Sequence, residues 1–117
     1  PTVDEGTWFM NCGEIWLVDL DDARGHEQRG TRPGVILGSA VGISIIVPLT
    51  SNMSSARFPH THQISPTARN GLDTDSIALA FQIVSIDNAR LRHRIGIIDD
   101  PDLQAINALL KDLLQLD

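Results

Sequence analysis

The sequence predicts a mainly β (α+β) domain, in which several short antiparallel strands precede one amphipathic C-terminal helix. Its 117 residues are the size of one domain, and an apolar fraction of 42% suffices for a single core. Up to residue 98, short runs of apolar residues alternate with turn-forming residues, and no helical period separates them. Strands spaced in this way favour an antiparallel barrel or sandwich over parallel βαβ units.

The first strand is expected after a short N-terminal arm. Residues 1–12 show no clear period and are predicted to be flexible, so that a single domain spans residues 13–117. Residues 13–20 are rich in β-branched and aromatic side chains, which favour a strand, and two aspartates end the run.

A hairpin is predicted from the next two apolar runs, residues 35–37 and 43–50. Gly38 and Gly42 separate them and are expected to supply the positive φ of the turn. Pro48 cannot donate a ladder hydrogen bond, so we expect its strand to lie at an edge or to carry a bulge there.

The second half of the chain predicts shorter strands and a final helix. Residues 51–75 are rich in turn formers and hold at most one strand, near residues 62–64, whereas residues 77–86 and 92–98 each predict a strand. Asp99 or Asp100 can cap the helix that follows, and Pro101 suits its first turn. The apolar residues at helical spacing are Leu103, Ile106, Leu110 and Leu113.

The composition excludes several classes of protein. The longest nearly unbroken apolar run, residues 42–49, is far shorter than the ~20 residues of a membrane span, and the first residues lack the pattern of a signal peptide. One cysteine, Cys12, excludes an intrachain disulfide and a zinc site built on several thiolates. We therefore expect a cytoplasmic protein without membrane association. His60 and His62 would share one face of a strand, but without a third ligand they favour a solvated pair, and we predict no metal site.

The charge is unevenly distributed. The formal net charge of −6 argues against indiscriminate binding to nucleic acid. However, residues 23–69 carry five arginines against one glutamate, whereas residues 1–22 carry six acids and no basic residue. Residues 90–94 add three arginines. These guanidinium groups either pair with the acidic segments or bind phosphate bidentately, and the charge pattern alone leaves both interpretations open.

The densest set of reactive side chains follows the first predicted strand, in residues 24–33. It holds two proton-transfer candidates, His26 and Glu27, with three arginines and two glycines that allow close approach of a ligand. A loop held at the end of a strand is well placed for function, although the same composition also suits a polar surface loop.

Two sequence strings resemble the MazF/PemK toxin family. The first comprises residues 13–21 (GEIWLVDLD), 25–28 (GHEQ) and 30–33 (GTRP). The second is VPLTSN at residues 47–52, which is followed in the family's order by Gln-Ile, Ser-Ile-Asp and the leucine-rich last segment. The resemblance covers roughly residues 13–116.

Members of that family are ribosome-independent endoribonucleases of type II toxin–antitoxin systems. The resemblance implies a small SH3-like antiparallel β-barrel with a C-terminal amphipathic helix, which works as a homodimer and is silenced by a cognate antitoxin protein. It also implies sequence-specific cleavage of single-stranded mRNA without a metal or other cofactor. The ribose 2′-OH would attack the adjacent phosphorus and leave a 2′,3′-cyclic phosphate.

The resemblance also assigns roles to individual residues. Arg32, in the Arg-Pro pair, and Thr50, at the end of the Pro-x-Thr strand, correspond to catalytic residues of the family. His26 and Glu27 are the acid and base candidates, because arginine is a poor base. Because single-stranded RNA stacks on aromatic and guanidinium planes, Trp8, Phe58 and Arg57 are candidates for stacking on a base, although Phe58 also suits the core. Contacts with RNA are expected from Arg24, Gln28, Arg29, Ser51, Asn52, Arg57, Phe58 and Gln82.

Three positions depart from the pattern that many family members share. Polar or charged residues expected around Gln82 are replaced here by Leu79, Phe81 and Val84. An alternative hypothesis is therefore a catalytically weakened toxin homologue that binds antitoxin or RNA without cleavage. The four residues assigned to catalysis are intact, so an active enzyme is favoured. A gyrase poison of the same fold is disfavoured, because that class uses an aromatic C-terminal tail.

Overall fold

Seven strands and one α-helix follow one another in the part of the chain that the computed structural model describes, residues 11–20 and 30–116. The strands are β1 (Glu14–Asp19), β2 (Thr31–Ala40), β3 (Ile43–Thr50), β4 (Thr61–Ile64), β5 (Ser76–Leu79), β6 (Val84–Asp87) and β7 (Leu91–Ile97), and the helix is α1 (Asp100–Leu114). Short 3-10 helices cover Met53–Arg57, Ala80–Gln82 and Asn88–Arg90. The predicted mainly β class with one C-terminal helix is confirmed.

The strands form one antiparallel sheet in the order β4-β5-β3-β2-β1-β7, and β6 also pairs with β3. In the described residues β4 and β7 lie at the two ends of this path, so hydrogen bonds do not close the sheet into the complete barrel that the resemblance implies. β3 has neighbours along both edges and is the central strand of the fold.

The β2–β3 hairpin turns through two residues, because Ala40 pairs with Ile43. Val41 and Gly42 both have positive φ, 47° and 83°, as a type I′ turn requires. The expectation was right for Gly42 and wrong for Gly38, which lies inside β2 at a shift in the pairing register. A β-branched residue thus occupies a left-handed position that the sequence pattern assigned to glycine.

Pro48 lies in the central strand and not at an edge, so the expectation of an edge strand is wrong. It pairs with Gly34 of β2. On the other side of β3, pairing with β6 extends to Ile46 and pairing with β5 begins at Leu49. The proline therefore falls between two ladders, where a missing N–H is tolerated.

The predicted strand over residues 77–86 is two strands. β5 pairs with the end of β3, with Leu49 opposite Ala78, and β6 pairs with its start, with Ile46 opposite Val84. The register differs between the two ladders by three residues, the length of the 3-10 helix Ala80–Gln82 that joins β5 to β6. This helix carries Phe81 and Gln82 away from the direction of either strand.

The core has two parts, because the central strands carry apolar side chains on both of their faces. The larger cluster packs the sheet against α1 and includes Ile15, Val35, Val47, Leu49, Ile98, Ile106 and Leu110. The smaller cluster comprises Val18, Leu20, Ile36, Ile46, Ile86 and Leu91, with Trp16 against it. Ile106 and Leu110 are buried and Leu103 and Leu113 pack beside them, which confirms the helical spacing.

The helix begins as predicted, but Asp99 does not cap it with its side chain. Asp99 occupies the N-cap position and a proline stands in the first turn. Its carboxylate instead accepts a hydrogen bond from Thr67 Oγ1 at 2.8 Å. None of the helices in the described residues has the length and apolar character that a membrane span needs.

Candidate functional site

Arg32 and Thr50 stand at corresponding positions of neighbouring strands. The β2–β3 ladder sets Val35 opposite Val47 and Gly34 opposite Pro48, where it ends. The same register, continued by two residues, sets Arg32 opposite Thr50 and on the same face of the sheet. Arg32 is half-buried, and Thr50 is only 5% exposed. Two residues from separate sequence motifs thus lie on neighbouring strands near the same end of the central hairpin.

The hydroxyl of Thr50 organises the loop that follows β3. Thr50 Oγ1 accepts a hydrogen bond from the backbone N–H of Asn52 at 3.1 Å. Asn52 Oδ1 in turn accepts from the Ser54 N–H at 3.2 Å and from Ser54 Oγ at 2.7 Å, which caps the 3-10 helix Met53–Arg57. Because a threonine hydroxyl is both donor and acceptor, its own hydrogen can still be donated to a ligand oxygen. Ser51 is exposed beside it.

Arg57 and Phe58 form a stacked pair at the end of that 3-10 helix. Arg57 donates from one guanidinium nitrogen to Ser54 O at 2.9 Å and to Ser54 Oγ at 3.3 Å. Its Cζ lies 4.3 Å from the centroid of the Phe58 ring. The Phe58 ring is 40% exposed and lies 5.6 Å from the ring of Phe81. Phe58 is therefore a surface residue, and the core interpretation of it is wrong.

The sequence predicts no role for Phe81, which stands out there only as a departure from the family pattern. It belongs to the 3-10 helix Ala80–Gln82, which the single predicted strand concealed. Gln82, on the same helix, is half-buried. An aromatic residue beside a predicted RNA-contacting glutamine was the signal that could have identified it.

The arginines divide into two groups. Arg94 lies 3.5 Å from the buried carboxylate of Glu14, and Arg92 pairs with Asp19, so these arginines of β7 join it to β1. For them, pairing with the acidic segment is the correct interpretation. Among the described residues, Arg57 has hydrogen bonds only to neutral groups, so its charge has no carboxylate partner there.

The two histidines are not a solvated pair. His60 Nε2 lies 2.8 Å from a carboxylate oxygen of Asp112, and His62 Nε2 lies 2.8 Å from one of Asp102, so each ring joins β4 or its preceding turn to α1. Within residues 11–20 and 30–116, no three His, Cys, Asp or Glu side chains are grouped to hold a metal ion.

Part of the predicted site lies outside the described residues, and its roles remain predictions. These residues are Arg24, His26, Glu27, Gln28 and Arg29. Residues 1–10 of the expected N-terminal arm are also outside the described part.

The fold is that of MazF proteins. The crystal structure of MazF from Deinococcus radiodurans matches it with a TM-score of 0.77 and 23% identity, over 92% of this chain and 98% of that one. An endoribonuclease from a mycobacterial species, solved in complex with its cognate antitoxin, matches with a TM-score of 0.69 and 20% identity, over 92% and 97% of the two chains.

The sequence narrows this class to a family. Residues 11–114 match the family described as the PemK-like, MazF-like toxin of type II toxin-antitoxin systems. The endoribonuclease MazF9 of Mycobacterium tuberculosis is 37% identical in an alignment of 118 positions that covers 92% of this chain and 98% of the relative. The chain therefore belongs to the PemK/MazF family of type II toxins, and the resemblance drawn from the sequence is confirmed.

Proposed function

We propose that this toxin is a sequence-specific endoribonuclease that cleaves single-stranded mRNA in the cytoplasm without a metal ion. The observation that supports the proposal is the common position of Arg32 and Thr50 at one end of the β2–β3 hairpin. A relative that is 37% identical, MazF9, is named an endoribonuclease. The family resemblance that the two sequence motifs carry implies the same chemistry.

The reaction is an internal transesterification at phosphorus. The ribose 2′ oxygen forms a bond to phosphorus while the bond from phosphorus to the 5′ oxygen breaks, which yields a 2′,3′-cyclic phosphate and a 5′-OH. Glu27 or His26 removes the proton from the 2′-OH and the other returns one to the leaving oxygen, a form of catalysis that contributes roughly 10²–10⁴-fold.

Arg32 and Thr50 stabilise the charge that develops on the phosphoryl oxygens. The planar guanidinium of Arg32 donates to two oxygens at once, and the Thr50 hydroxyl, held by Asn52, donates a third hydrogen bond. Loss of one such donor typically raises the barrier by about 3–4 kcal/mol. Ser51, Asn52, Arg57, Phe58 and Gln82 extend the site along the RNA.

A homodimer and a cognate antitoxin complete the proposal. Exposed apolar side chains border a groove of about 650 Å³ between the sheet and α1, and its lining includes Leu37, Ile45, Ile83, Leu110 and Leu114. A second copy of the chain would bury this surface. The mycobacterial relative was solved with its antitoxin, and we propose a partner of the same class for this chain.

Sedimentation at micromolar concentration tests the dimer. Ile45→Asp places a charge in the groove and should shift the protein towards the monomer mass. Val41→Asp is the matched control, because Val41 lies in the hairpin turn and is 98% exposed. A monomeric wild-type protein would contradict the dimer.

Cleavage is tested with an end-labelled RNA of mixed sequence in EDTA. The wild-type protein should give discrete fragments with cyclic-phosphate ends, and Arg32→Ala should cleave at least ~100-fold more slowly. Arg69→Ala is the matched control, since Arg69 is exposed and lies near Asp99. Intact RNA with folded wild-type protein would reject the endonuclease and support the weakened homologue, which would still bind antitoxin or RNA.

A further inference from the structure

A series of three side chains in contact, of which the first two are stacked and the last two are tilted rings, follows the loop that Thr50 organises. It consists of Arg57, Phe58 and Phe81, hereafter the Arg57 stack. The guanidinium carbon of Arg57 lies 4.3 Å from the centroid of the Phe58 ring, and the Phe58 and Phe81 centroids are 5.6 Å apart at an interplanar angle of 58°.

The Arg57 stack is joined to Thr50 by a continuous series of hydrogen bonds. Thr50 accepts from Asn52, Asn52 accepts from Ser54, and Ser54 accepts from Arg57. The end of β3 and the guanidinium plane are thus parts of one short, capped segment. A ligand that extends from Thr50 along this segment would reach the guanidinium plane.

The orientation of Arg57 is set before any ligand binds. Two hydrogen bonds to Ser54 and the ring of Phe58 restrain the guanidinium group, although the side chain is exposed. Within the described residues no carboxylate neutralises it. Arg57 Cζ lies over the Phe58 ring and the side chain is exposed, so a ligand can approach the guanidinium group from solvent. A guanidinium face and an aromatic ring are the surfaces on which unpaired bases stack in single-stranded RNA.

We propose that Arg57 is the stacking platform for one nucleobase next to the scissile phosphate, and that Phe81 is a positioning residue that acts through Phe58. Phe81 packs against the Phe58 ring on the side of the 3-10 helix Ala80–Gln82 and so limits the rotation of that ring. The inference rests on the proposed function and adds a subsite to it. It also gives the apolar residue at position 81 a purpose in RNA binding.

The test measures binding to an RNA that cannot be cut. Oligonucleotides with 2′-O-methyl riboses carry the sequence that the cleavage assay identifies, and each base in turn is replaced by an abasic residue. The readout is the ratio of the Kd of the abasic oligonucleotide to that of the complete one, at each position. For the wild-type protein we expect a ratio of about 10 at one position beside the cut, as for a stacked base.

Arg57→Lys keeps the positive charge and removes the planar group, so the ratio should fall close to 1 at that position alone. Phe81→Leu keeps an apolar side chain and removes the ring, and should lower the same ratio partway. Arg69→Lys is the matched control and should leave every ratio unchanged. Thermal melting of each variant establishes that it is folded.

The outcomes separate the inference from the proposed function. Unchanged ratios in Arg57→Lys, with RNA that the wild-type protein cleaves, would overturn the stacking platform while the endonuclease stands. A ratio of Kd values in Phe81→Leu equal to that of the wild-type protein would overturn the positioning role of Phe81. A wild-type protein that neither cleaves nor binds RNA would overturn the proposed function, and the inference with it.

Discussion

The imidazole Nε2 of His62 on β4 lies 2.8 Å from a carboxylate oxygen of Asp102 on α1, and both side chains are about one quarter exposed, 28% and 25%. The pair of His60 with Asp112 lies further along the helix, and Thr67 reaches Asp99 at its start. Polar contacts therefore fasten the helix to the segment around β4, in addition to the apolar face that packs on the sheet.

Removal of the His62 ring should destabilise the protein more than removal of the His60 ring. His62→Ala leaves Asp102 without its partner in a partly shielded position, and the expected loss in the free energy of unfolding is ~1–2 kcal/mol. His60→Ala should cost at most ~1 kcal/mol, because Asp112 is 78% exposed and solvent replaces the contact. Urea unfolding of both variants measures the difference, and equal losses would contradict the stronger role of His62.

Val41→Asn should stabilise the β2–β3 hairpin by ~1 kcal/mol. Val41 has φ of 47° in a position that disfavours β-branched residues, whereas asparagine followed by glycine suits a type I′ turn. Val41→Ala is the control, since alanine is also strained at positive φ. The melting temperature of the asparagine variant should exceed that of both the wild-type protein and the alanine variant, and an unchanged value would count against this account of the turn.

Two glycine substitutions separate backbone strain from steric overlap. A Cβ on Gly71 would overlap with the carbonyl oxygen of Ile95, and Gly71 also has a φ of +69°. Gly42 has a φ of +83° and nothing within 4 Å of a Cβ. Gly42→Ala should therefore lower the free energy of unfolding by ~1–2 kcal/mol. Gly71→Ala should lower it by at least ~3 kcal/mol, or should yield no soluble protein. Similar stability of the two variants in denaturant would disprove the close approach of the two backbones.

Thr50 should be replaceable by serine but not by valine. Serine keeps a hydroxyl that accepts from the Asn52 N–H and can make the proposed hydrogen bond to phosphate, whereas valine keeps the shape and can make neither hydrogen bond. We expect Thr50→Val to lower kcat/KM roughly 100-fold and Thr50→Ser to stay within about tenfold of the wild-type value. Cleavage by Thr50→Val at the wild-type rate would show that the Thr50 hydroxyl has no role in catalysis.

Most elements could be predicted because their signals are local. The apolar run of β1, the start of α1 and its buried Ile106 and Leu110 follow from residues that are neighbours in the chain. The division of residues 77–86 into two strands could not be predicted. The shift of three residues between them is defined only by the pairing of each strand with β3. The positive φ of Val41 likewise follows from the register of the hairpin and contradicts the residue's own preference.

The sequence by itself determined the mainly β class and the family, and its resemblance to that family predicts Arg32 and Thr50 as catalytic residues. These features reside in periodicity and in short strings, which need no knowledge of distant contacts. Only the tertiary structure decided that Phe81 backs Phe58 and that His62 meets Asp102. Such contacts join residues far apart in the chain, and they depend on how the strands and the helix pack against one another.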